Sequence, residues 1–446
     1  MEAINKVQFA AYLEDLKSLI AIPSVKGPAK DFAPYGEEVK KALDYYLSRA
    51  QDLGLNTFEI DHKVGVVEFG SGEEEVAIFV HIDVVPAEDA ENWRFPPFTA
   101  TEYEGSLYGR GTLDDKGPAL AVLYALAALQ QKNFQPKRRV RIVIGGDEES
   151  GMDCIATYKK MEKPPTIGFT PDGYFPVTYS EKGILVKEVT MALSEQAGRL
   201  ELYSGKAQNV EPSQASGSLV MRKEPAGGAS VSQTEKGNWE HSFSIKKQNE
   251  DDRVIFRLLK EVAVCLNEPE MIKKIQHAIT LLADESGMAL GIETMDEHSG
   301  ALTMQATKLR FDQGILKFTL NIRYPSSADA EEMEAKVIEA LKAQGFETKT
   351  IDSKAPIYFD PEKPFIKSMT KIYRDTTNRD DEPMAISGGT YARAYPDRVV
   401  AFGALFPTEP LNAHAVNEHV KLSVMEEWLH VYEIAIEQLA NENITP

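Results

Sequence analysis

Residues 145–151 read GGDEESG, three consecutive carboxylates (Asp147, Glu148, Glu149) behind the apolar run VRIVIGG. Like charges at the margin of a core repel and desolvate one another. Other chemistry-bearing residues also stand where apolar runs stop. IFV runs into His81 and Asp83, IGFTP into Asp172, and VVAFGAL, through a loop, into His414. Asp114 and Asp115 stand just ahead of the apolar run that begins at Pro118. In open α/β sheets ligands gather outside the carboxyl ends of the strands, so these groups would share one rim. A dication there stabilises carboxylates that otherwise repel. Imidazole plus carboxylate without thiolate suits zinc, and also manganese or cobalt. Five candidate ligands, only two of them histidines, exceed what one tetrahedral zinc needs. They suit two ions that share a carboxylate, typically ~3.5–4 Å apart. One acid of the Glu148–Glu149 pair would then stay off the ions and could accept a proton from an activated water.

Taken singly, each residue has a plainer use. Asp114 or Asp115 could cap the following helix, His81 could be a hydrogen-bonded core histidine, and Asp172 in TPDG could be a turn residue. The acidic run Glu73–Glu75 reads as a solvated edge. What favours chemistry is that the other groups converge.

The elements that must hold them alternate. EEVAIFVHI (74–82) is a continuous apolar run, as in a strand covered on both faces. DDKGPALAVLYALAALQ (114–130) predicts a helix with Pro118 in its first turn. RRVRIVIGG predicts a strand, IATYKKM a helix and PTIGFTPD a strand, which together suggest a doubly wound, mostly parallel sheet. After about Gly183 the texture changes to half-exposed strands, a polar Gly/Ser-rich stretch (204–238), an amphipathic helix in DDRVIFRLLKEVAVCL, and a hairpin turning at Asp312-Gln313-Gly314. A helix over ADAEEMEAKVIEALKAQ is stopped by Gly345. From about Pro356 the first pattern returns. The expected fold is therefore α/β, a doubly wound and mostly parallel catalytic domain (1–184 and 356–446), with an inserted α+β, ferredoxin-like lid domain (185–355).

The 446 residues are too many for one ordinary core. A net charge of −20 disfavours nucleic acid and anionic membranes as partners. Two cysteines, Cys154 and Cys265, make neither a disulfide framework nor a thiolate zinc site. The N-terminal stretch, broken by charges, carries no signal-peptide core, and no apolar stretch is long enough to span a bilayer. A cytoplasmic location follows by default.

The segments HIDVVP (81–86), NWRFPPF (92–98), GSLYGRGTLDDKGP (105–118), GGDEESG (145–151), FTPDGYFPV (169–177), EKGI (181–184), NIRYP (321–325), SGGTYAR (387–393) and HAVNEH (414–419) together resemble a known set. The chain is similar to the aminoacylase/carboxypeptidase G/dipeptidase family of dinuclear zinc peptidases, and within it to the bacterial dipeptidase V (carnosinase-like) group. That resemblance implies that His81 and Asp172 hold one metal, that Glu149 and His414 hold the other, and that Asp114 bridges them. It implies Glu148 as general base and Asp83 as the group that orients His81. In the lid it implies a histidine that polarises the scissile carbonyl, for which His241 is the candidate, and Arg323 on the substrate carboxylate. Asn209 would be a further polar contact, and Gly388 and Gly389 would line the cleft. The plainer readings are an exposed salt bridge for Arg323 and ordinary turns for Asn209 and the glycine pair.

The lid departs from the family pattern. Around GNWEHSFSIKK (237–247), Gly237 and His241 keep the spacing, but Glu240 replaces an alanine and Glu250-Asp251 replaces an Asn-Ala pair. The resemblance implies a dipeptidase acting on small peptides as a monomer with two divalent ions, zinc first and manganese or cobalt as alternatives. Rival readings are an N-acyl amino acid amidohydrolase (deacylase or desuccinylase) and a metal-dependent peptide-binding protein that has lost catalysis. His62, His277, His298 and His430 read as structural, and His419 as near the site but not a ligand.

Overall fold

A computed structural model of the chain describes residues 6–87, 90–193, 199–206, 208–209, 211–221, 232–233, 239–249 and 251–446. Two compact units divide it. One comprises Met1–Ser180 and Tyr358–Pro446, the other Glu181–Ile357.

In the larger unit the strands Arg139–Gly145, Glu75–His81, Ile167–Thr170 and Val399–Ala401 lie side by side in that order, all parallel. Val64–Phe69 and Asn56–Ile60 extend the Arg139 side antiparallel. Every residue of Glu75–His81 is buried, which explains why the run lacks a two-residue alternation. The helix Lys116–Gln131 is buried from Lys116 through Leu129. A helix apolar on all sides must be covered on all sides, and Lys6–Ile20 and the closing helix Leu422–Asn441 pack against it. Gly117 opens this helix under the backbone of residue 112, where a Cβ would stand 2.1 Å from the Thr112 carbonyl oxygen. Only glycine lets the loop carrying Asp114 fold back so closely.

The acidic run at 73–75 differs from its expected role as a solvated edge. Glu75 is buried and pairs with Arg139 (2.6 Å) and Arg141 (3.3 Å) on the neighbouring strand. It opens a strand flanked on both sides, so its carboxylate faces basic side chains rather than water.

The inserted unit is a mixed α+β body. Its sheet runs in the order Ser232–Gln233, Trp239–Lys246, Gln214–Met221, Arg199–Ser204, Thr303–Asp312, Ile315–Tyr324, Gly183–Ala192, Glu347–Lys354, antiparallel throughout. Helices Val254–Cys265, Pro269–Leu282 and Ala330–Ala343 contribute to one apolar core with it. The hairpin turns at Gln313 (φ 49°) and Gly314 (φ 81°), the pair of positive φ values that a two-residue type I′ turn requires. Asp329 caps Ala330–Ala343 by accepting the Glu332 N–H. Among the described residues no helix is long and apolar enough to cross a membrane.

Candidate metal centre

Five segments of the larger unit deliver the groups. His81 ends its strand, Asp114 sits in the loop before the helix Lys116–Gln131, Glu148 and Glu149 follow Arg139–Gly145, and Asp172 follows Ile167–Thr170. His414 comes from the loop after Ala404–Leu405 and has a left-handed backbone (φ 62°).

Asp114 is central. Its Oδ1 lies 3.0 Å from His81 Nε2, and its Oδ2 lies 2.8 Å from His414 Nε2. Asp172 Oδ2 is 3.7 Å from His81 Nε2, and Glu149 Oε1 is 3.0 Å from His414 Nε2. Two groups of potential ligand atoms result, His81–Asp114–Asp172 and Asp114–Glu149–His414, each within 4.8 Å mutually. One carboxylate belongs to both.

The His81 ring is turned so that one nitrogen faces the carboxylates. Its Nδ1 lies 3.0 Å from the Asp83 carbonyl oxygen. A carbonyl only accepts, so Nδ1 carries a proton, and Nε2 is the nitrogen left for a second proton or a metal ion. Among the described residues that buried Nε2 has no hydrogen-bond partner, although two carboxylates face it. A cation between that nitrogen and the carboxylates satisfies both, and the imidazole and carboxylate donors fit a metal pair.

The charge balance points the same way. Burial works against a protonated His414, yet the Asp114 and Glu149 carboxylates outweigh it and push its pKa up to about 11. Burial, with the Asp114 charge next to it, raises Glu149 to about 7. Burial also opposes charge on Asp114, but His414 and His81 hold it well below the ordinary carboxylate range. Such a cluster takes up protons unless a dication replaces them, so ion binding releases protons.

The three acids of GGDEESG have separate fates. Asp147 is buried and pairs with Lys26 (2.6 Å). Glu149 turns to His414. Glu148 is half-buried, and among the described residues its Oε1 has no hydrogen-bond partner. Burial raises its pKa well above the usual value, and the nearby Asp172, Glu149 and Asp114 charges add to this.

Asp83 does not orient His81 chiefly through its carboxylate, whose Oδ1 is 3.6 Å from Nδ1. Its two oxygens instead accept the backbone N–H groups of Glu148 and Glu149, both at 3.1 Å. The backbone carbonyl already satisfies the ring, which frees the side chain to fix the acidic turn. Asp115, next to Asp114, accepts the His81 N–H (3.0 Å) instead of capping its helix.

Beside these groups lies a cleft of about 630 Å³ lined by Asp114, Glu148, Glu149, Asp172, His414, Gly388 and Gly389. Its remaining wall is largely apolar, with Leu113, Tyr174, Met384, Ile386, Leu405 and Leu411. His419 is not part of it. Its ring stacks on Tyr108 with centroids 4.5 Å apart.

His241, Arg323 and Asn209 belong to the inserted unit. Arg323 Nε donates to Asn321 Oδ1 (2.8 Å), and Asn321 Nδ2 donates to the Gln208 carbonyl (3.0 Å). Arg323 and the Asn209 segment are thus linked through Asn321, which sequence reasoning missed although it opens the NIRYP segment. His241 lies on Trp239–Lys246, four strands from Ile315–Tyr324, about 19 Å at the usual ~4.8 Å strand spacing. The structure does not bring it to Arg323. Gly237 and Glu250 of the departed motif lie outside the described residues.

Residues 77–438 match the model of peptidase family M20/M25/M40. A Staphylococcus aureus protein named "Putative dipeptidase" is 31% identical over 461 residues, covering 96% of this chain and 97% of its own length. Among solved structures, human carnosine dipeptidase 1 superposes with a TM-score of 0.65 at 17% identity, covering 98% of this chain and 97% of its own. The dipeptidase Dug1p from Saccharomyces cerevisiae gives 0.64 at 15% identity, covering 97% and 96%.

Proposed function

The chain belongs to peptidase family M20/M25/M40, and we propose that it is a dipeptidase with a two-ion centre and Glu148 as its general base. The observation that carries this is the division of Asp114, one carboxylate oxygen facing each histidine. His81, Asp172 and Asp114 would hold one ion, and Glu149, His414 and Asp114 the other. When bound, two divalent ions (zinc first, with manganese or cobalt as alternatives) supply Lewis acidity to the scissile carbonyl and lower the pKa of water. Glu148 takes the proton of the attacking water and returns it to the leaving amine. Its pKa, raised by burial, suits a group that must both accept and donate. Asp83 keeps it in register through the backbone. Gly388 and Gly389 line the cleft and allow substrate to lie close to the backbone.

In the inserted unit, Arg323 binds the C-terminal carboxylate of the peptide, backed by Asn321, with Asn209 as a further polar contact. Arg323→Ala should raise KM about 10- to 100-fold, since a hydrogen bond to a charged group contributes about 1.5–3 kcal/mol, while metal content stays unchanged. Steady-state kinetics with parallel metal analysis check it. An unchanged KM would return Arg323 to a surface role.

The apolar cleft wall supports peptides with uncharged, apolar side chains. The test is the metal-reconstituted protein assayed on dipeptides and on N-acyl amino acids. Apolar dipeptides should be cleaved fastest. Faster cleavage of N-acyl amino acids would make the chain a deacylase, and peptide binding without turnover in excess zinc or manganese would make it a binding protein.

A further inference from the structure

We infer that Glu418 and Arg110 form a positioning pair that locks the bridging ligand and His414 together, so that this pair sets ion affinity. The inference rests on the two-ion reading above. Glu418 is fully buried. Its Oε1 accepts the backbone N–H groups of Gly111 (3.0 Å), Leu113 (2.9 Å) and Asp114 (3.3 Å). One carboxylate oxygen therefore gathers the loop that presents Asp114.

Its other oxygen, Oε2, accepts from Arg110 Nη1 at 2.6 Å. Arg110 Nη2 in turn donates to the backbone carbonyl of His414 (3.3 Å). The guanidinium lies 5.2 Å from the Trp93 ring centroid, and the Arg110 N–H donates to the Pro97 carbonyl (2.8 Å). The pair is placed by a short antiparallel strand pairing, Ser106–Tyr108 with His419–Lys421, which continues as Gly109 N–H to the Glu418 carbonyl (3.0 Å). Two loops some 300 residues apart in sequence are joined beside the centre.

Neither side chain reaches an ion ligand's donor atom. They act on the backbone of Asp114 and of His414. Partners of metal ligands commonly change ion affinity 10- to 100-fold when replaced. The two members differ in what they hold. Glu418 fixes Asp114, which both ions would share. Arg110 adds His414, which only one would use.

The test measures both ion dissociation constants by chelator competition with zinc on folded protein, alongside kcat and KM. Glu418→Gln should weaken both ions about 10- to 100-fold. Arg110→Lys keeps a charge for Glu418 but cannot also reach His414. It should weaken one ion about tenfold and lower kcat with KM little changed. That loss should vanish in a His414→Ala background and persist in a His81→Ala background, as coupling through His414 requires. A merely structural pair would change thermal stability and leave the ion affinities of the folded protein as in wild type, and that result overturns the inference. If Glu418→Gln does not fold, Arg110→Lys and its double variants decide alone. Wild-type protein binding fewer than two ions overturns the two-ion reading itself, and this inference with it.

Discussion

Glu148→Gln should keep two ions per chain and lose about 10²- to 10⁴-fold in kcat, the usual contribution of a positioned general base, with KM nearly unchanged. The substitution is close to isosteric, so the turn held by Asp83 persists. An amide cannot take a proton from water at neutral pH. Glu148 belongs to neither ligand group, whereas Glu149 next to it does. The two neighbours therefore separate cleanly, because Glu149→Gln should reduce ion content first and activity as a consequence. Metal analysis with steady-state kinetics distinguishes them. Glu148→Gln protein with near-wild-type turnover would falsify the assignment of the base.

Asp114→Ala should empty both positions at once and bring hydrolysis to background. His414→Ala should lose one ion and keep the other, because its ligand group shares only Asp114 with that of His81. The effect extends to stability. A ligand that binds only the folded chain stabilises it by about 4 kcal/mol at a thousandfold excess over Kd. Wild-type protein in zinc should therefore melt well above its chelator-treated form, and Asp114→Ala should show almost no such difference. Calorimetry with and without added metal reads this directly. A metal-dependent rise in the Asp114→Ala variant equal to that of wild type would remove Asp114 from its bridging position.

What could be read from residue order was whatever depends on local pattern. The buried run ending at His81, the helix after Asp114, the turn at Gln313-Gly314 and the stop at Gly345 all follow from apolar period and backbone preference. The ligand types also stand out, because crowded acids at strand ends need a reason. Contacts between distant segments were not legible. Lys26 neutralises Asp147 across 121 positions, and Glu418 meets Arg110 across 308. No periodicity marks such partners, although both members of the second pair lie inside the segments that carry the family resemblance. Glu75 departs from its expected solvated role for the same reason, since its arginine partners lie on another strand. Asp83 was placed near the right atoms, but pattern does not reveal that the backbone carbonyl, not the carboxylate, takes the imidazole N–H.

The larger unit is completed only when Val399–Ala401 pairs with Ile167–Thr170 and the loop carrying His414 follows. In a chain still emerging from the ribosome, every residue of the inserted unit is translated before His414. Contacts this remote in sequence close slowly. On the two-ion reading, the centre would stay incomplete until the segment carrying His414 has been made and packed against the strands that present the other ligands.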